Sequence, residues 1–294
     1  MTRVASVDLG TNTTRLLVAD VEGDDVQEIV RRQQITRLGE GVDVRRRLLP
    51  VAVARVRNVL ADYRREAESL GAVRVLAVAT SAVRDAENGE AFLGEIEWSY
   101  GFDTRLLSGA EEAELTLRGV GVVDDETVVL DVGGGSTELV TRAGATSVDV
   151  GSARMTEQLG EDVDAIAGRV RELLPPLRAA RAIGVAGTVT TLAALDLGSL
   201  SVHGHILSLR AVEDQLELLA ALPLAERRRI PLLEPERAPV IVAGAVIVRE
   251  AMRALGVDAL TVSERDLLDG VALAAAELPP REEGAAPPGA YTCC

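Results

Sequence analysis

The chain has 294 residues, 47% of them hydrophobic and only 2% aromatic, so its core is aliphatic and large enough for two domains. All 31 basic residues are arginine, which excludes a lysine Schiff base, a P-loop lysine and a pyridoxal phosphate anchor. A net charge of -15 argues against a general nucleic-acid binder, and the only cysteines, Cys293 and Cys294, supply neither a disulfide framework nor a four-thiolate zinc site.

The opening "MTRVASVDLG" has no long apolar run, and eighteen uninterrupted apolar residues occur nowhere, so no signal peptide or membrane span is predicted and a cytoplasmic location is expected. Residues 6–18, "SVDLGTNTTRLLV", read as strand, acidic-glycine turn, strand. Next, "LLPVAVARVRNVLADYRREAESLG" spaces its apolar residues as a helix that ends at Gly71. "VRVLAVATSA" is a buried strand of the parallel kind, and "FDTRLLSGAEEAELTLRGV" is a short strand, a Ser-Gly turn and a helix headed by Glu111 and Glu112.

The first pattern then returns. In "TVVLDVGGGSTELV", 127–140, aligning Asp131 with Asp8 puts Gly133 on Gly10, Ser136 on Thr13, Thr137 on Thr14 and Leu139 on Leu16, at an offset of 123 residues. Two such hairpins one domain apart predict a duplicated α/β fold with a cleft between its halves. Helices around 153–180 follow, then the strand–turn–helix "RAIGVAGTVTTLAAL", then helices through much of 210–277. The expected domains are 1–124 and 125–278, with a Pro/Gly/Ala-rich disordered tail over 279–294.

A strand that ends in an acid and then glycines lets backbone approach a ligand closely, and an acid beside it suits a metal-bound anion. Asp8 and Asp131 have two readings: each hydrogen-bonds its own turn, or, with Glu138, they hold Mg2+ that bridges phosphates. In the second reading Gly10, Thr13, Gly133, Gly134, Gly135, Ser136 and Thr137 donate to phosphate oxygens. Hydrolysis also needs a base for water. His203 and His205 lie outside the phosphate loops, which leaves carboxylates, and Glu111 and Glu112 either serve the helix dipole or include the base. Arg15, Arg84 and the clusters at 31–32, 45–47 and 227–229 are the cationic resource for a polyanion.

Together these motifs resemble the exopolyphosphatase / guanosine pentaphosphate phosphohydrolase family, whose fold is the duplicated actin-like one of sugar kinases and heat-shock chaperone ATPases. The resemblance rests on "VDLGTNTTRLLV", "LGEGVD", "ATSAVRDAENG", "SGAEEAEL", "LDVGGGSTEL", "GVAGTVTTLAAL" and "TVSERDLLDG", in that order, and spans residues 3 to about 277. It implies Glu112 as catalytic base, Asp131 and Glu138 as ligands of Mg2+, and Arg84 on phosphate, with Asn12 in the first phosphate motif. It also implies a homodimer and the short, two-domain actinobacterial form. One departure stands in "IPLLEPERAPV", where family members tend to have Gly and Asp and this chain shows Leu233 and Pro239. The implied activity is release of terminal phosphate from inorganic polyphosphate. Hydrolysis of guanosine pentaphosphate, a sugar-kinase-like transfer and a weakly catalytic nucleotide-binding regulator are the alternatives. No aromatic residue falls in a phosphate motif to stack on a base, which favours polyphosphate.

Overall fold

The computed structural model describes residues 1–279; the rest of the tail, with Cys293 and Cys294, lies outside the described residues. The chain forms β1 (Thr2–Leu9), β2 (Thr13–Glu22), β3 (Asp25–Ile35), α1 (Val42–Arg45), α2 (Pro50–Ser69), β4 (Arg74–Ala79), α3 (Ser81–Arg84), α4 (Gly89–Tyr100), β5 (Asp103–Leu106) and α5 (Gly109–Val120). It continues with β6 (Thr127–Val132), β7 (Thr137–Thr141), β8 (Gly144–Val148), α6 (Ser152–Leu159), α7 (Val163–Leu173), β9 (Arg181–Val185), α8 (Ala186–Leu197), β10 (Ile206–Ser208) and α9 (Leu209–Ala221). Last come α10 (Leu224–Arg227), α11 (Ile241–Leu255), β11 (Ala259–Val262) and α12 (Leu267–Glu277).

Two sheets result. The first has the order β3-β2-β1-β4-β5, and the second, read from its far edge, β8-β7-β6-β9-β11-β10. In both, the two hairpin pairings are antiparallel and the next two are parallel, so the second sheet repeats the first strand for strand and adds β10 at its edge. This is the duplicated α/β architecture expected of an actin-like fold. Strands β1 and β6 carry the continuous apolar runs of strands covered on both faces; every residue of β6 is buried.

The residues divide into one unit of Met1–Gly119 with Leu267 onward, and a second of Val120–Asp266. This differs from the boundary expected at 278: α12 follows the second sheet in the chain but packs on β1, β2 and β4. Its run from Leu267 to Ala275 is buried throughout. Such a helix has no polar face to indicate which sheet it covers, and so sequence proximity misassigned it. In the first unit, alternation along β1 sends Ala5, Val7 and Leu9 to one apolar cluster with α2 and α4, and Val4 to another with α12. The second unit has a single large cluster centred on α11. Strands β3, β8, β10 and β11 were not anticipated; the first three are exposed or short, and β11 is four residues inside a stretch read as helical. Among the described residues no helix is long and apolar enough to cross a membrane.

Candidate active site

The repeated turns are closed by the same bond. The Gly10 N–H donates to the Thr13 carbonyl at 3.0 Å, and the Gly133 N–H donates to the Ser136 carbonyl at 3.0 Å. A Cβ on Gly10 would lie 2.9 Å from that carbonyl oxygen, which explains the glycine. What remains is a set of N–H groups with no work inside the protein. Those of Thr11 and Asn12 in the first turn, and of Gly134, Gly135 and Ser136 in the second, make no hydrogen bond among the described residues. Successive turn N–H groups of this kind form an anion-binding concavity.

Each turn is buttressed from behind through its carbonyls. The Asn12 carbonyl accepts from the Thr36 and Arg37 N–H groups, at 3.0 and 2.9 Å, and that of Thr11 accepts from Gly39 at 2.8 Å. In the second turn Ser152 N–H donates to the Gly133 carbonyl, while Ala153 and Arg154 donate to that of Gly134. Arg154 Nε adds a 2.7 Å bond to the Gly135 carbonyl. The first turn of α6 therefore serves the glycine turn, and a Cβ on Gly151 would collide with the backbone of Gly134 and Gly135. Gly151 and Arg154 were missed in the sequence; the "VGSAR" after a strand was the available signal.

The two copies differ at the residue opposite the acid. Asp8 pairs in register with Arg15, whose Nε donates to Asp8 Oδ2 at 2.8 Å. Arg15 and Asp8, expected on phosphate and metal respectively, are thus joined to each other. At the matching place Asp131 faces Glu138, both buried, with Ser147 Oγ donating to Glu138 Oε1 at 2.7 Å. Like charges directly opposite are unfavourable by themselves, and two buried carboxylates in register suit a cation. Among the described residues no cluster of three or more metal-ligating side chains occurs. A two-carboxylate set completed by water and phosphate oxygens is the donor arrangement Mg2+ uses, so the residues fit that ion.

Glu111 and Glu112 part company. Glu111 Oε2 accepts from Ser108 N–H at 2.8 Å and Ser108 Oγ at 2.7 Å, and the Ser108 hydroxyl in turn accepts from the Glu111 N–H at 3.3 Å. This is a reciprocal capping box, and the sequence Ser-Gly-Ala-Glu signals it. The Ser108 hydroxyl bond, then that from its backbone, holds the exposed Glu111 carboxyl below the ordinary glutamate range. Glu112 is buried instead, with its carboxylate 3.5 Å from Arg84 Nη1. That nitrogen donates to the Leu107 carbonyl at 2.7 Å, which fixes the guanidinium; its Nε and Nη2 make no hydrogen bond among the described residues.

Other expectations resolve as follows. His205 Nε2 and Asp196 Oδ2 lie 2.7 Å apart, and His203 Nδ1 accepts from the Glu264 N–H at 3.2 Å, so His205 ties its loop to α8 and His203 ties two loops together. Of the arginine clusters, Arg31 pairs with Glu28 and Asp269, Arg32 with Glu66, and the buried Arg227 with Glu161. Arg45, Arg46 and Arg47 are exposed and form no ion pair among the described residues. In "IPLLEPERAPV", Leu233 is buried in the core, and the neighbouring Leu232 holds φ of 67°, the left-handed region that glycine favours. The glycine-like position is therefore Leu232. Arg237, also missed in the sequence, is buried against Gly187 at the start of α8 and bonded to Glu234.

Comparison with known proteins agrees over most of the chain. Residues 17–278 match the Ppx/GppA phosphatase family. The chain is 38% identical to Exopolyphosphatase 2 of Mycobacterium tuberculosis, over 94% of this chain and 99% of that protein. Among solved structures, an exopolyphosphatase-like protein is 32% identical with a TM-score of 0.84, covering 92% of this chain and 98% of that one. An exopolyphosphatase from Cytophaga hutchinsonii is 26% identical with a TM-score of 0.83, covering 92% and 96%. With its repeated phosphate-sized turns and buried Glu112, this chain belongs to the Ppx/GppA phosphatase family and is a hydrolase.

Proposed function

We propose that the protein is an exopolyphosphatase that removes terminal orthophosphate from inorganic polyphosphate with Mg2+. The observation that carries this is the pair of turns whose N–H groups are left for an anion, one at Thr11–Asn12 and one at Gly134–Ser136. The 38% identical Exopolyphosphatase 2 supports the substrate, and the two buried, cross-strand carboxylates of the second unit support the ion.

In this reading Glu112 is the general base. A water oxygen attacks the terminal phosphorus in line, its proton passes to the Glu112 carboxylate, and the bridging P–O bond breaks with its electron pair leaving on the shortened chain. Arg84 holds Glu112 with Nη1 and offers Nε and Nη2 to phosphate oxygens, a use of the guanidinium fork that lysine could not match. The turn N–H groups and the hydroxyls of Thr13 and Ser136 bind phosphate oxygens. Asp131 and Glu138 would hold Mg2+, which supplies positive charge against the phosphate oxygens when bound.

The test is orthophosphate release from tripolyphosphate, long polyphosphate, guanosine pentaphosphate and ATP, each with and without Mg2+. Polyphosphate turnover that depends on Mg2+ is expected, with the Mg2+ dependence and the activity weakened together in Asp131→Asn. Preference for guanosine pentaphosphate would overturn the substrate, and an unchanged Mg2+ titration in Asp131→Asn would reduce that acid to a turn former.

A further inference from the structure

Helix α12 crosses α5 within the first unit at a point where a side chain is missing. A Cβ on Gly270 would fall onto the carbonyl of Leu115, with the carbonyl carbon at 2.7 Å and Cα at 3.1 Å. The obstacle is backbone, so it cannot swing away as a side chain would. Leu115 lies one helical turn beyond Glu112, on the same side of α5.

Which helix would yield is decided by how each is held. The residues just before Gly270 are fastened to the sheet: Ser6 Oγ, on β1, donates to the Leu268 carbonyl at 2.8 Å in a buried bond, and Arg31, on β3, contacts Asp269 at 3.0 Å. Further along, Arg74 donates to the Ala276 carbonyl at 2.5 Å. Helix α12 is therefore fixed against β1, β3 and β4 along its length. Helix α5 is tied to α12 at its far end, where Arg118 pairs with the exposed Glu277, so displacement at Gly270 falls on the turns of α5 that precede Arg118, and the first of these carries Glu112. The partner of Glu112 is set in the same manner, since a Cβ on Gly89 would collide with the carbonyl of Val83, next to Arg84.

We infer that Gly270 is a positioning residue for Glu112: its missing side chain sets how closely α5 approaches the first sheet, and so sets the 3.5 Å separation of Glu112 from Arg84. This rests on the reading of Glu112 as the base. The residue that tunes the base thus lies 158 positions further along the chain.

The experiment is Gly270→Ala in the full chain, read as kcat and KM for tripolyphosphate hydrolysis, with a circular dichroism spectrum to show that it folds. A misplacement of the order of 1 Å costs up to about a hundredfold in rate, so kcat is expected to fall at least about tenfold with KM within about twofold. The same substitution in a Glu112→Gln background is expected to have no further effect, because the group it misplaces is already gone. A wild-type kcat in Gly270→Ala, or an equal loss in both backgrounds, overturns the inference. Full turnover in Glu112→Gln alone would instead overturn the reading of the base. If Gly270→Ala does not fold, Ser6→Ala is read in its place, since it removes the buried bond that fastens α12 beside Gly270 without adding atoms. A lower kcat confined to the Glu112-containing background is expected, and an unchanged kcat overturns the inference.

Discussion

Glu111 and Glu112 stand side by side in the sequence, yet one carboxylate caps a helix in solvent and the other is buried beside an arginine. The first should matter to stability and the second to turnover. Because Glu111 titrates below its ordinary value, its stabilisation is present above about pH 4 and is lost as pH falls through the depressed folded value. Glu277, held down first by its bond to Arg118, acts in the same direction. Both are exposed, so the effect is small. Thermal unfolding against pH should show the melting temperature falling below about pH 4, with a shallower acid slope in Glu111→Gln at wild-type turnover. A second contrast lies at Leu232 and Leu233. Leu233→Ala should cost about 2–5 kcal/mol as a core truncation. Leu232→Gly should stay within about 1 kcal/mol of wild type, because relief of left-handed strain offsets lost packing and glycine's chain entropy. Denaturant titration of both separates them; equal losses would show that the left-handed backbone at 232 carries no strain.

At the scale of elements, the glycine turn of the second hairpin depends on α6. Gly151→Ala forces a Cβ against Gly134 and Gly135 and should raise KM for tripolyphosphate several-fold, with a stability cost of about 1–3 kcal/mol. A wild-type KM would show that the turn tolerates displacement. Much of this level was legible in sequence. The offset between Asp8 and Asp131 marked both hairpins because the acid ends the strand in each and the first glycine closes the same turn bond in each. The capping box at Ser108–Glu111 was written in the sequence too, as serine and glutamate three apart, and it distinguishes the two glutamates. The pairing of Asp8 with Arg15 was less visible, since it depends on which residues face each other across the hairpin. The place of α12 was hidden: a helix buried from Leu267 to Ala275 fits any apolar sheet, and the bonds from Ser6, Arg31 and Arg74 select one.

For the molecule as a whole, a net charge of -15 sets the difficulty of handling a polyanion, so local arginine must offset long-range repulsion. Arg45, Arg46 and Arg47 are exposed and free of ion pairs among the described residues, the condition expected of a track for a long chain. Affinity should rise with polyphosphate length and fall with salt, and glutamate at all three positions should weaken long-chain binding while sparing tripolyphosphate hydrolysis. Unchanged long-chain binding would return this cluster to ordinary solvated surface. In the proposed mechanism the chemistry reduces to one carboxylate. Turnover of tripolyphosphate by Glu112→Gln, compared with wild type under saturating Mg2+, tests it most directly. The account predicts a folded protein with kcat lower by about a hundredfold or more, as for loss of a general base; a folded Glu112→Gln variant that turns over like the wild type would contradict it.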